Sequence, residues 1–360
     1  MSFRIEKIPG TAFLSFPDMQ GLLSSELAER FGYGTIQQAA TISGTTFSAD
    51  GARWYGDLLY CPDFTLTACT VTDGPCDTDQ NTHRKAVPYW ARTTMEEPFL
   101  IHFESIGEAA KALRDLQRNW APYQYTCFRR ASLIQDKLPH INLKARAFPV
   151  EIPHSPMGLY TLLDEHTLIA SAKTSSALPA GTLQFIEDHL NPPSRAYLKI
   201  QEGLAMAHHL LGTDFPCEGQ KCFEAGACPG GWTWVLRQLG ADVFAVDRAE
   251  LAPPLMADPH VIFQAHDAFT LKPEEVCERL SADKLDWVLS DVICYPARLY
   301  EWIKMWLESD RVRNMICTIK MQGAIDWNLV AQFAAIPSSR VVHLNYNKHE
   351  LTWLWSAHAE

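Results

Sequence analysis

The stretch Phe223-Glu224-Ala225-Gly226-Ala227-Cys228-Pro229-Gly230-Gly231-Trp232 reads as a strand that runs into a glycine-rich turn and out into a helix. Glycines let the backbone approach a ligand with no Cβ in the way, and the N-terminus of the following helix offers unpaired N–H groups. A nucleotide-like ligand therefore belongs at this turn. A pyrophosphate cradle would want G-x-G-x-x-G, whereas the spacing here is Gly226-x-x-x-Gly230-Gly231 with a proline at 229, which disfavours a dinucleotide.

Outward from the turn, apolar strand candidates end in polar residues at Asp247, Asp267, Asp291 and Lys320. Helical patterns lie between most of them, over 232–239, 274–280, 299–307 and 325–334, and the chain closes on the aromatic strand Glu350-Leu351-Thr352-Trp353-Leu354-Trp355. Strands alternating with helices make a mostly parallel, doubly wound α/β sheet, whose ligand sits outside the carboxyl ends of the strands. Asp247 ends the strand after the glycine turn and is placed to accept hydrogen bonds from both hydroxyls of a ribose. Such a carboxylate serves NAD and S-adenosylmethionine proteins alike, and a strand-end Asp can also simply cap a turn.

The segment Gly226-Ala227-Cys228-Pro229-Gly230-Gly231-Trp232, together with Pro193-Ser194-Arg195-Ala196-Tyr197-Leu198-Lys199 upstream, resembles the FtsJ/RrmJ-like ribose methyltransferases, and most closely their RlmM type, which acts on a cytidine of 23S rRNA. The resemblance spans roughly 192–355. It implies a Rossmann-like, class I methyltransferase domain over 176–360 and S-adenosyl-L-methionine as cofactor. Cofactor contacts then fall on Gly226, Ala227, Cys228, Pro229, Gly230, Gly231, Trp232, Asp247, Asp291 and Asp267, the last as acceptor of the adenine amino group. The family's Lys–Asp–Lys–Glu active site falls on Lys199, Asp291, Lys320 and Glu350, all four of which are present.

The residue types suit the chemistry. A ribose 2′-hydroxyl is a poor nucleophile near neutral pH, so a group must take its proton as it attacks a sulfonium methyl. A lysine, ordinarily near pKa 10.4, acts as base only where burial or a nearby cation favours its neutral form. On this reading Lys320 is the general base and Lys199 orients the hydroxyl and depresses the Lys320 pKa, while Asp291 and Glu350 hold the ammonium positions. Taken singly, each has a blander role: a solvated helix lysine, a strand-end charge, an edge-strand carboxylate.

The first half is less regular. Thr11-Ala12-Phe13-Leu14-Ser15-Phe16-Pro17 predicts a strand, and Asp18 is placed to cap a helix with Leu22, Leu23, Leu27 and Phe31 inward and Gly32 at its end. Strands are expected at 58–60, 64–67 and 99–103, with a polar turn at Asp73-Gly74 and 77–81. A helix capped by Ser105 runs over 107–120, and a hairpin over 157–173. By resemblance this half is an α+β accessory region, with a ferredoxin-like piece over 1–55 and a THUMP-like RNA-binding domain over 56–175.

With 360 residues, 47% hydrophobic and 20% charged, the chain is an ordinary packed protein of two or three domains. A net charge of −11 argues against non-specific polyanion binding. That average conceals a segment: between 111 and 146, Lys111, Arg114, Arg118, Arg129, Arg130, Lys137, Lys144 and Arg146 face only Asp115 and Asp136, with Trp120, Tyr123, Tyr125 and Phe128 interleaved. Basic side chains track phosphates and aromatic faces stack unpaired bases, so this segment is the expected RNA-binding surface, although the helical spacing of Lys111, Arg114 and Arg118 also suits a solvated face.

The absence of any 18–20-residue apolar run excludes a membrane span, and an N-terminus without a signal peptide's apolar core points to the cytoplasm. Ten cysteines without a C-x-x-C pair read as reduced thiols rather than a zinc site, and His208-His209 as a packed or surface pair, so no metal is expected. The partner expected is RNA, 23S rRNA by resemblance, rather than DNA, with the protein a monomer or weak homodimer. Three rivals stay open: the same chemistry on tRNA, another rRNA site or an RNA cap; a non-catalytic RNA-binding module; and an NAD-dependent oxidoreductase.

Overall fold

The computed structural model describes residues 3–34, 51–66, 86–155 and 157–359; the expected polar turn at 73–81 and the strand residue Thr67 fall outside them. The described residues divide into two compact units, one holding those up to Ala145 together with Pro153–Gln184, the other Arg146–Ile152 with those from Phe185 onward.

The second unit is built on seven strands, β1 (Lys221–Ala225), β2 (Asp242–Asp247), β3 (Val261–Ala265), β4 (Leu285–Ser290), β5 (Val312–Lys320), β6 (Ser339–Val342) and β7 (Glu350–Ser356). They lie in the order β3-β2-β1-β4-β5-β7-β6, with β7 antiparallel to both neighbours and parallel pairing from β3 through β5. The main helices are α1 (Tyr197–Leu211), α2 (Gly231–Gln238), α3 (Pro273–Arg279), α4 (Pro296–Ser309) and α5 (Trp327–Ala334). Prolines open α3 and α4, where a missing N–H costs nothing, and the Asp326 carboxylate caps α5 by accepting the Leu329 N–H at 3.1 Å. The alternating pattern of the sequence is thus the observed doubly wound sheet.

Its core is aromatic. Phe223 of β1 packs against Phe244 of β2 and Trp306 of α4, each at 5.6 Å between ring centroids. α1 packs on β5 at Gly203, where a Cβ would stand in ordinary contact with Ile316 Cγ2 at 3.4 Å. The segment Arg146–Ile152 belongs to this unit: Phe148 meets the ring edges of Phe185 and Phe215, and Arg146 forms an isolated bridge with Phe185.

The first unit holds two five-stranded sheets. One runs in the order Arg4–Lys7, Phe99–His102, Thr167–Ser171, Gly158–Leu162, Trp120–Pro122, with the helices Ile106–Leu116 and Phe128–Gln135 burying Leu113 and Ile134 against Trp120 and Tyr160. The other runs Lys173–Thr174, Ala91–Glu96, Thr11–Ser15, Leu58–Cys61, Arg53–Tyr55. Each sheet takes strands from both 1–55 and 56–175.

The expected hairpin and the Ser105 cap are present, the latter as a capping box with Glu108. Three local expectations need correction, the first being the helix expected over 107–120, which ends at Leu116 while Trp120 opens a strand. Asp18 does not cap its helix: it sits at φ 61, and Met19 occupies the cap position with no side-chain bond. Phe64-Thr65-Leu66 is not a strand; the Phe64 carbonyl is taken by the Thr11 hydroxyl at 3.0 Å, which turns the chain away from the sheet ladder.

Candidate active site

Topology brings the four expected catalytic residues together. Asp291 follows the carboxyl end of β4, Lys320 ends the adjacent β5, and Glu350 begins β7, directly opposite Lys320 in the antiparallel register. Lys199 comes from the first turn of α1. Their charged atoms form a closed ring of alternating sign. Lys199 Nζ lies 2.6 Å from Glu350 Oε1 and 3.1 Å from Asp291 Oδ1; Lys320 Nζ lies 2.7 Å from Asp291 Oδ1 and 3.2 Å from Glu350 Oε2. Lys199 and Glu350 are buried, so each charge depends on its partners for the solvation that water no longer supplies.

The protonation of this ring corrects one expectation. Burial works against the Lys320 ammonium, but Asp291 and then Glu350, through charge and hydrogen bonding, outweigh it and hold its pKa above the ordinary lysine value. The shift is upward rather than downward, because two carboxylates face the amine.

The glycine turn stands at the carboxyl end of β1. Gly226 (φ 79) passes so close to the start of the Asp291 loop that a Cβ would lie 2.8 Å from Val292 Cγ2, and at Gly230 (φ 109) one would strike Leu255 Cδ1 at 2.3 Å. Both positions require glycine for conformation, and Gly226, with the Val292 backbone N 3.0 Å from where its Cβ would stand, for space as well. A Cβ on Gly231 would strike Ser194 Oγ at 2.5 Å, the Trp232 indole donates to the Ala196 carbonyl at 3.1 Å, and Trp234 meets Tyr197 edge-on. The 193–199 segment and the 226–232 turn are therefore packed on one another.

Asp247 accepts the Cys228 N–H at 3.0 Å and the Ala249 N–H at 3.1 Å, one on each oxygen, which leaves each oxygen a further lone pair. Asp267 stands two residues beyond β3 and caps the short turn Ala268–Thr270 through the Phe269 N–H. Burial would raise its pKa, but the Arg298 guanidinium at 3.0 Å, with the Phe269 N–H and Arg248, lowers it below the usual carboxylate value. Beyond Asp291, Ile293 is 80% and Tyr295 69% exposed, an apolar surface on the loop that carries the ring's carboxylate.

Two buried acids escaped the sequence reading because each sits in an apolar pattern. Glu224 in β1 accepts the Thr233 hydroxyl at 2.6 Å, and burial, eased by that bond and aided by the charges of Asp291 and Asp247, pushes its pKa up to about 8. Glu202 in α1 is pushed up to about 7, chiefly by burial, against three hydrogen bonds from Asn345 and Tyr346. Glu202 stands three residues after Lys199, and that one-turn spacing is the only signal the sequence offered for it.

In the 111–146 segment, Arg114, Arg118, Arg129, Lys137 and Lys144 are exposed. Lys111 pairs with Asp115, and Arg130 donates to the Glu104 carbonyl while lying over the Phe103 ring. Arg146 belongs to the other unit. Of the interleaved aromatics, Trp120 is fully buried, its indole donating to the Leu113 carbonyl, so it cannot stack a base. Phe128 is 60% exposed. His208 is packed, bonded to the Thr213 carbonyl and stacked on Phe215. Among the described residues, no group of three or more His, Cys, Asp or Glu is placed to hold a metal ion, and no helix is long and apolar enough to cross a membrane.

Comparison with known proteins bears on this geometry. Over 132 residues the chain is 36% identical to ribosomal RNA large subunit methyltransferase M of Halorhodospira halophila, covering 36% of each. It is 31% identical over 227 residues to that of Hahella chejuensis, covering 61% of this chain and 52% of the relative, and 30% identical over 170 residues to that of Alkalilimnicola ehrlichii, covering 45% of each. The aligned part thus spans about a third to a half of the length of these curated relatives. The FtsJ-like methyltransferase family model matches residues 192–321, which run from the segment bearing Lys199 through the glycine turn and Asp291 to Lys320. The chain therefore carries an FtsJ-like methyltransferase domain.

Proposed function

We propose that this chain transfers a methyl group from S-adenosyl-L-methionine to the ribose 2′-hydroxyl of RNA, at a cytidine of 23S rRNA. The observation that carries the reading is the closed Lys199–Asp291–Lys320–Glu350 ring standing beside the glycine turn at the carboxyl ends of the strands. The relatives' printed name, ribosomal RNA large subunit methyltransferase M, supports the substrate.

The residues present suit the cofactor. Gly226, Gly230 and Gly231 let the turn fold closely against Val292, Leu255 and Ser194, so that its backbone holds a fixed course at the carboxyl end of β1, and Asp247 has acceptor capacity left for ribose hydroxyls. Asp267 reserves its remaining lone pairs for the base edge, and Asp291 borders both the cofactor turn and the ring. When bound, S-adenosyl-L-methionine supplies an electrophilic methyl on a sulfonium. The protein's own part is positioning and proton transfer. Lys199 and Lys320 present N–H donors that fix a hydroxyl oxygen between them, Asp291 and Glu350 hold the two amines in place, and Lys320, once neutral, takes the hydroxyl proton. Because its carboxylate neighbours favour the ammonium, the rate should rise with pH into the lysine range. Positioning of this kind supplies a large part of the acceleration, and general-base help about 10²–10⁴.

The first unit is the accessory region of this reading, its ferredoxin-like and THUMP-like parts interleaved rather than divided at residue 55, because each of its sheets takes strands from both sides of that boundary, and Arg118, Arg129, Lys137 and Lys144 are its exposed contacts to phosphate. Ile293 and Tyr295 offer apolar surface to a base beside the reacting ribose. The test is incubation of the full chain with labelled cofactor and total RNA, followed by mapping of the methylated nucleotide. Label at a 23S cytidine 2′-oxygen bears the reading out. Label in tRNA or a cap changes the substrate, and no label in any RNA with the cofactor bound removes the activity.

A further inference from the structure

We propose that Glu202 is a positioning residue that sets Glu350 against Lys199, an inference that rests on the methyl-transfer reading above. Glu202 lies one turn after Lys199 on α1, so the two project from neighbouring places on one helix. Its carboxylate is buried and spends itself on one turn of chain. Oε1 accepts the Asn345 backbone N–H at 2.9 Å and the Asn345 side-chain amide at 2.6 Å, and Oε2 accepts the Tyr346 N–H at 3.1 Å.

That turn joins β6 to β7 and delivers Glu350, the first residue of β7. Asn347 carries the link onward, its amide donating to the Glu350 carbonyl at 3.2 Å and to the Thr352 hydroxyl at 3.0 Å. The path from Lys199 along α1 to Glu202, across to Asn345 and Tyr346, and through Asn347 to Glu350 closes on itself at the 2.6 Å contact between Lys199 and Glu350. Three hydrogen bonds tie this turn to the helix, and each strengthens as Glu202, whose burial pushes its pKa up to about 7, ionises. Glu350 contacts both lysines, and a displacement of its backbone therefore alters both pairs at once.

The test uses the full chain and compares Glu202→Ala, Glu202→Gln and Asn345→Ala for kcat and KM with 23S rRNA, cofactor affinity and Tm. Displacement of a catalytic group by about 1 Å can cost about 10²-fold, so Glu202→Ala should lower kcat by about 10–100-fold, with RNA KM and cofactor Kd within about twofold of wild type. Glu202→Gln should lose about 3–10-fold, because one oxygen still accepts from Asn345 while an amide now faces the Tyr346 N–H. In a Glu350→Ala background, Glu202→Ala should add no further loss.

A folded Glu202→Ala enzyme with wild-type kcat overturns the proposal, as does a loss that persists in full in the Glu350→Ala background. Should Glu202→Ala fail to fold, Glu202→Gln and Asn345→Ala are judged by the same criteria. Should the wild type methylate no RNA, the function falls, and a crystal structure of Glu202→Gln still decides the positioning: Glu350 Oε1 moved beyond about 4 Å from Lys199 Nζ supports it, and an unchanged contact overturns it.

Discussion

Lys320 and Glu350 stand directly opposite each other on the antiparallel pair β5–β7, and their charged atoms meet at 3.2 Å. Side chains on a strand alternate between faces, so a slip of one residue in this register would send Glu350 to the other face and open the ring. The Trp353 side chain, buried in the same strand and bonded to the Phe333 carbonyl at 3.0 Å, helps fix that register.

Lys320→Ala removes the proposed proton acceptor and one corner of the ring. We expect methyl transfer to fall by about 10²–10⁴-fold, with cofactor binding at the glycine turn retained. Single-turnover transfer with labelled cofactor measures this, and normal turnover by the variant would show that Lys320 is not the base.

Asp291→Asn leaves the shape of the ring and removes the charge that does most to raise the Lys320 pKa. The ascending limb of the pH–rate profile should therefore move to lower pH, even though the plateau rate drops with the loss of ordering. A limb that stays in place or moves upward would mean that Lys320 does not set the profile.

Glu224→Gln tests the buried carboxyl under the glycine turn. With its pKa raised from 4.5 to about 8, the folded chain holds a proton that the unfolded chain releases, so this group's contribution to stability is full below the unfolded value and is lost as pH rises through the folded one. The variant carries no charge at any pH. Its Tm should run parallel to wild type near pH 5 and exceed it above pH 8, by about 2–4 °C for each kcal/mol recovered. A Tm difference that stays constant from pH 5 to 9 would contradict the shift.

In the basic segment, Arg129 is a cleaner probe than Arg130, whose guanidinium is tied to the Glu104 carbonyl and the Phe103 ring. Arg129→Glu combined with Lys144→Glu should raise the RNA KM about tenfold or more at moderate salt, with cofactor Kd unchanged. Filter-binding titrations over a range of salt concentrations check this, and an unaltered RNA affinity would take the segment out of the binding surface.

The second unit was legible in the sequence because its signals are local. Strand–turn–helix alternation, Pro273 and Pro296 at helix starts, and glycines at 226 and 230 each record a backbone requirement within a few residues of where they act. The first half was less so. Asp18 looked like a cap and is not, and Trp120 looked like a stacking aromatic and lies in the core, because the deciding partners are distant in the chain.

By itself the sequence singled out the four candidate catalytic residues and the order in which the elements run. Only the tertiary structure decided how the four charges meet. The insertion of β7 antiparallel between β5 and β6 brings Glu350 opposite Lys320, and the facing carboxylates turn the pKa of that lysine upward rather than downward. Glu202 and Glu224 belong to the same class: their burial and partners arise from packing across the chain, and electrostatic energy depends on distance and burial, which spacing along a sequence does not record.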